Sequence, residues 1–302
     1  MGAQQKHVGF GDPDLPGLLR IPLGVRPELR LFYRPGRWMT APQCERLVGE
    51  LRAVTAACHG GRPLSYGVLS GSEERLAGAV IAVLRDRRSR RALGFNAMSL
   101  LPIDAARGRT EHVLHSGLCM VVPGLQGRGL TRLLVSLPPV LAFARGGFRP
   151  LWVTNVSQVP AAIGVFGEAV ARLHPTPDGD QPPTSEHLRV AEQLLSRHRA
   201  AFGVGADAEF DARLFVIRNA YTGGSDDLKK SWASAPLHRD ARWNRLCRDR
   251  LDYDRGDDLL QVGRLTLGHA FHVFAGFLAR ALKHPRGHGR SASHFSPKEA
   301  RA

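Results

Sequence analysis

The stretch "EHVLHSGLCMVVPGLQGRGLTRLLVSLPPVLAFAR", residues 111–145, constrains the fold more than any other part of the chain. Its first twelve residues form an apolar run of strand length, and Pro123 ends it, because proline has no N–H for a ladder. Gly124, Gly127 and Gly129 then crowd a short basic turn, and residues 129–145 read as a helix in spite of Pro138 and Pro139. A strand that passes through such a turn into a helix has two explanations. Glycine gives the chain backbone angles closed to other residues, as a tight turn between buried elements needs. Alternatively, the free N–H groups of the turn and of the first helical turn converge on a phosphate.

The sequence on either side supplies the rest of a mixed sheet. Residues 28–34, 77–85 and 91–103 read as strands, the last two joined as a hairpin through the charged run "RDRRSRR" at 85–91. A helix is expected over 40–58, with Thr40 as cap, Pro42 early, and Cys44, Leu47, Leu51 and Val54 forming its apolar stripe. Beyond the Gly-rich turn, 150–156 reads as a strand and 159–173 as a helix. Further helices are expected at 185–202, 238–250 and 268–283, and strands at 210–221 and 258–267. Residues 1–26 read as an irregular arm and 284–302 as a basic flexible tail, in which His284, His288 and His294 form no recognised ligand spacing.

Composition narrows the function classes. The 42 Lys and Arg against 27 Asp and Glu leave a net charge of +15, which favours anionic partners. The basic residues are scattered and no zinc-finger or homeodomain pattern accompanies them, so nucleic acid is not the favoured partner. The best apolar run, 133–144, is broken by its two prolines and is too short to span a bilayer, and the N-terminus lacks a secretory h-region. Cys44, Cys58, Cys119 and Cys247 form no C-x-x-C pair, which fits reduced thiols in a cytoplasmic protein with no metal site.

The order of elements across 77–173 resembles the GNAT superfamily of N-acetyltransferases, whose central unit is a strand, a Q/R-x-x-G-x-G/A loop, a helix, and a further strand and helix. Gln126, Gly129 and Thr131 occupy that pattern, and Thr131 departs from its final Gly or Ala. The resemblance implies an α/β fold with a mixed, mostly antiparallel central sheet flanked by helices, and a splayed strand pair that binds acyl-CoA. It implies one domain over 27–283, with excursions at 174–209 and 222–256. It implies acetyl-CoA, or another acyl-CoA, as cosubstrate and a small-molecule amine as acceptor, with a homodimer compatible and no membrane contact. The pantetheine arm would pair with backbone groups of Cys119 and Val121. Gln126, Gly127, Arg128, Gly129, Leu130 and Thr131 would hold the pyrophosphate, with Asn155 near the ligand.

Acyl transfer to an amine needs a base for the amine proton and often an acid for the departing thiolate. Alternation along the strand places Glu111 and His115 on the face of Cys119 and Val121, making His115 the candidate base and Glu111 its assistant or substitute. His112 should face the other way. The family's usual acid is a Tyr on the helix after Asn155; "PAAIGVFGEAV" has none, and Phe166 cannot donate a proton. A catalytically weak module that binds CoA or an acyl carrier for partner recognition is the competing reading.

Overall fold

The computed structural model describes residues 17–23, 27–105, 110–179, 181–223 and 226–268. Its frame is a ten-stranded sheet. In chain order the strands are β1 (Leu18–Pro22), β2 (Pro27–Tyr33), β3 (Ala79–Asp86), β4 (Ala92–Asp104), β5 (Thr110–Val121), β6 (Leu151–Ser157), β7 (Ala171–His174), β8 (Glu209–Asp211), β9 (Val216–Arg218) and β10 (Asp258–Leu265). They lie in the order β1-β2-β3-β4-β5-β6-β10-β9-β8, with β7 also paired to β10. Among the described residues only β5 and β6 run parallel. All other pairs are antiparallel, so the sheet is mixed and mostly antiparallel, with helices on both faces.

One face is covered by α1 (Ala41–Cys58) and α5 (Ser185–Arg197), the other by α3 (Leu130–Arg145) and α4 (Pro160–Gly167), with α6 (Ala241–Arg250) packed on α4; α2 (Glu73–Ala77) is a short turn. Odd residues of β4 follow this division: Phe95 and Ala97 pack under α1, Leu101 and Ile103 under α5. Its even residue Met98 packs under α3 with Ala142 and Phe143. Such two-sided burial is what removes the clean alternation of apolar and polar residues from the central strands. Capping fixes the helix starts: Thr40 and Gln43 form a reciprocal box at α1, and Asp240 accepts from the Arg242 N–H at 3.0 Å.

Several expectations are corrected. Residues 18–22, read as part of an irregular arm, add an edge strand to β2. The helix expected over 159–173 stops at Gly167, and the chain turns to pair β7 with β10. Glycine is required at that stop, since a Cβ on Gly167 would lie 2.2 Å from the Trp243 ring of α6. The strand expected over 210–221 is split into β8 and β9, because the Asp211 carboxylate accepts the Arg213 and Leu214 N–H groups at 3.1 Å each and folds a turn between them. The helix expected at 268–283, the N-terminal residues 1–16 and the tail at 284–302 lie outside the described residues, apart from Gly268.

Candidate functional site

The site is built where the single parallel pair comes apart. β5 and β6 pair from Val113–Trp152 to Ser116–Asn155 and no further, although β5 runs on to Val121. The cause lies within β5. Asn96 faces Cys119 and Met98 faces Ser116, so two steps on β4 match three on β5 and one extra residue is accommodated near Gly117. A Cβ at Gly117 would sit 2.5 Å from the Ala97 carbonyl oxygen, so only glycine fits. The bulge turns the end of β5 away from β6 and leaves an edge of backbone groups facing a gap. The Val122 N–H donates to the Leu93 carbonyl at 3.0 Å. By alternation, the backbone N–H and C=O groups of Cys119 and Val121 face the gap.

The same bulge reverses the side-chain faces. Val113 and His115 point to the α5 side, where the His115 ring lies 4.5 Å from that of Phe202. Past the bulge Cys119 and Val121 pack toward Leu134 and Leu137 of α3, while Leu118 and Met120 take the α1 face. Strict alternation, which put His115 with Cys119, is therefore corrected: the two side chains lie on opposite faces. Burial pushes the Cys119 thiol up to about 12, far from nucleophilic thiolate.

Beyond β5, Pro123–Leu125 make one 3-10 turn and the Gly-rich segment leads into α3. Gly129 is the N-cap of α3 at φ 74°, and Gly127 has φ 75°, the left-handed region that glycine enters without strain. Nothing stands within 4 Å of a Cβ built at Gly124, Gly127 or Gly129, so the turn faces open space. No side chain caps α3, which leaves its first N–H groups free for an external acceptor. Gln126, though exposed, reaches back to β5: its Nε2 donates to the Val121 carbonyl at 3.0 Å, and the Cys58 thiol donates to the same oxygen at 3.3 Å. That carbonyl is thus already used, and of the two expected arm contacts at Val121 the N–H is the one still open. Arg128, Thr131 and Arg132 are exposed, Leu130 is half-buried, and Arg132 stands 4.0 Å from Glu168.

Of the two expected acid–base residues, one lies at the gap and one does not. His115 pairs with Thr154 in the β5–β6 ladder, one step before the strands part, and is 1% exposed. Its Nδ1 is 3.0 Å from Thr154 Oγ1, and its Nε2 has no hydrogen bond among the described residues. Burial, with a smaller push from His198, holds its imidazole down at about 3, so the ring is neutral at pH 7. Glu111 sits near the start of β5, opposite Ile103, and pairs with Arg189 at 3.4 Å, five residues before the gap opens. His112 is exposed.

Asn155 ends the part of β6 that pairs with β5. Its Nδ2 donates to Oε1 of Gln261 on β10 at 3.1 Å, and both side chains are buried. Phe166 packs into the core between α3 and α4 and offers no proton donor. On the α5 face, a group the sequence reading did not bring together stands just past the end of β6: Asp258, Tyr221 and Gln158. Tyr221 Oη donates toward Asp258 Oδ1 at 3.0 Å. The signal was present in "DLLQVGRL", where a carboxylate and an amide, Asp258 and Gln261, interrupt an otherwise apolar central strand. Among the described residues no three His, Cys, Asp or Glu side chains converge as metal ligands, and no helix is long and apolar enough to cross a membrane.

No family model and no curated protein matches the sequence. Solved structures show partial likenesses. A Trypanosoma brucei acetyltransferase is 19% identical, with 40% of this chain and 77% of that chain covered and a TM-score of 0.27. An aminoglycoside N-acetyltransferase in complex with CoA is 16% identical, with 42% and 75% covered and a TM-score of 0.30. The ribosomal-protein-S5-alanine acetyltransferase from Vibrio fischeri is 14% identical, with 50% and 81% covered and a TM-score of 0.33.

Proposed function

We propose that this protein is an acyl-CoA-dependent N-acyltransferase, carrying acetyl from acetyl-CoA to the amine of a small molecule. One observation carries the reading: the parallel pair parts after Ser116–Asn155, and an uncapped helix N-terminus behind a Gly-rich turn lies at the end of the diverging strand. A pantetheine arm has amides spaced to pair with a free strand edge, and its pyrophosphate is a ligand suited to unsatisfied N–H groups. The N–H groups of Cys119 and Val121 would hold the arm. The backbone of Gly127, Arg128, Gly129, Leu130 and Thr131 would hold the pyrophosphate, with Gln126 bracing the turn against β5 and Asn155 at the apex of the gap.

In the tautomer whose Nδ1–H donates to Thr154 Oγ1, 3.0 Å away, His115 presents the Nε2 lone pair that a base needs. At about 3 its proton affinity is low for work at neutral pH, so His115 is a weak base that assists an amine already neutral. Glu111, ion-paired away from the gap, takes at most a supporting electrostatic part. The thiolate leaves through water, since the α4 position near the gap offers Phe166.

A binding module without turnover is the second reading, favoured by the same two features: the weakly basic His115 and the missing acid on α4. A thermal-shift series with acetyl-CoA, longer acyl-CoAs and free CoA, followed by thiol release with a panel of amines, separates them. Stabilisation by acetyl-CoA together with amine-dependent thiol release supports the enzyme. Stabilisation without thiol release supports the module, and no stabilisation by any CoA species rejects both.

A further inference from the structure

A cleft of about 270 Å³ opens between α6 and residues 176–179, the chain that leaves β7. It shares no residue with the gap between β5 and β6. Its helix wall follows from the sequence: in "ARWNRLCRDR" positions 242, 245, 246, 249 and 250 fall on one side of a 3.6-residue period, so four charged side chains and Leu246 line the cleft together. Trp243 and Cys247 turn the other way, into a core shared with Ile163 of α4.

Two of the four charges hold the walls in place. Arg242 donates to Asp240 at 2.7 Å and also to Asp178, which fastens the 176–179 segment to the start of α6. Arg250 donates to the Leu214 carbonyl at 3.0 Å. The remaining two are Arg245 and Asp249. Both are exposed, and neither has a hydrogen bond or an ion pair among the described residues. They stand four apart on the helix, the spacing at which opposite charges commonly meet, but with the cation first, the weaker order for such a pair. An open guanidinium and an open carboxylate therefore face the same cavity.

The sign pattern selects the ligand. A lone anion drawn to Arg245 would meet Asp249, and a lone cation drawn to Asp249 would meet Arg245, with Arg242 and Arg250 behind it. A molecule that carries both charges close together satisfies both side chains, each through a charge-assisted hydrogen bond. Pro177 and Leu246 add apolar surface to the same cleft, enough for a short aliphatic group to cover. We propose that the cleft binds a free α-amino acid with a small apolar side chain, Arg245 taking its carboxylate and Asp249 its ammonium. The site stands apart from the acyltransferase reading, since it needs neither CoA nor turnover.

The test is saturation-transfer NMR of the full chain at neutral pH with three ligands: L-leucine; 3-methylbutylamine, which lacks its carboxylate; and 4-methylpentanoate, which lacks its amine. Wild type should bind leucine with a Kd of about 1 mM or tighter, and each analogue at least about tenfold more weakly. Arg245→Gln and Asp249→Asn, both on an exposed helix face, should each weaken leucine by about tenfold. Arg248→Gln, on the same helix but set over the Trp232 ring, should leave it unchanged. Asp249→Asn should also improve binding of 4-methylpentanoate, because the carboxylate that repels it is gone. Thermal melts check the variants, and the wild-type comparison of the three ligands needs no variant to fold. Leucine that fails to bind wild type, binds no better than either analogue, or keeps its affinity in folded Arg245→Gln or Asp249→Asn overturns the proposal.

Discussion

The Asn96 side-chain amide donates to the Leu134 carbonyl at 3.1 Å, the oxygen that Pro138, having no N–H, leaves without its helical partner. A strand residue thus supplies the bond that lets α3 run through two prolines beneath the sheet and keep its N-terminus at the gap. Asn96→Leu should destabilise the fold by about 1–3 kcal/mol, the cost of a buried acceptor left unsatisfied. Adding Pro138→Ala, which restores an N–H four residues on, should recover most of that loss. Urea unfolding of the four proteins in the cycle measures it; additive effects would show that the two sites are not coupled.

The turn before α3 should respond to charge more than to shape. Gly129→Asn suits the left-handed backbone there and adds no charge, so acetyl-CoA affinity should fall no more than a few-fold. Gly129→Asp places an anion where the pyrophosphate would approach and should weaken binding by tenfold or more. Calorimetry on variants checked for folding decides it, and equal affinity for the two variants would remove the turn from the site.

Arg128 and Arg132 should behave differently in salt. Both are exposed, but Arg132 already faces Glu168 at 4.0 Å. Arg128→Ala should weaken CoA binding at low ionic strength and lose that effect near 1 M salt, where screening is strong. Arg132→Ala should do less at every ionic strength, as titrations across a salt series would reveal.

His115 links the site to acid stability. Its folded pKa, about 3, lies below the usual 6.5, so as pH falls the unfolded chain takes the proton first. The stability this burial allows is present above about pH 6.5 and is lost as pH drops toward 3, with a slope of up to ~1.4 kcal/mol per pH unit for one proton. His174, held at about 4, adds a second loss over a narrower window. His115→Gln should flatten the part due to His115 in pH-dependent unfolding. His115→Ala should lower acyl transfer by about 10²-fold, the low end for a general base, with CoA affinity kept. His112→Ala should do much less.

The frame of the fold was legible in the sequence because its elements are bounded by strong punctuation: Pro123 after β5, the charged turn before β4, and Thr40 with Pro42 at the start of α1. The site was legible as a place and not as a geometry. Alternation assumes an unbroken strand, and one extra residue near Gly117 moved His115 to the face opposite Cys119. Nothing local in "HSGLC" distinguishes that bulge from an ordinary glycine, because the close neighbour that demands it, the Ala97 carbonyl, is 20 residues away. The group of Asp258, Tyr221 and Gln158 was hidden for the same reason: its members are assembled by the β6–β10 pairing across about 100 residues.

Hydrogen exchange of the full chain with and without acetyl-CoA reads the very backbone N–H groups proposed to hold the cofactor. Acetyl-CoA should slow exchange at the amides of Cys119 and Val121 and across residues 127–131, with little change in β8, β9 and α6. Acetyl-CoA that binds without protecting these amides, or that protects none at saturating concentration, would contradict that assignment.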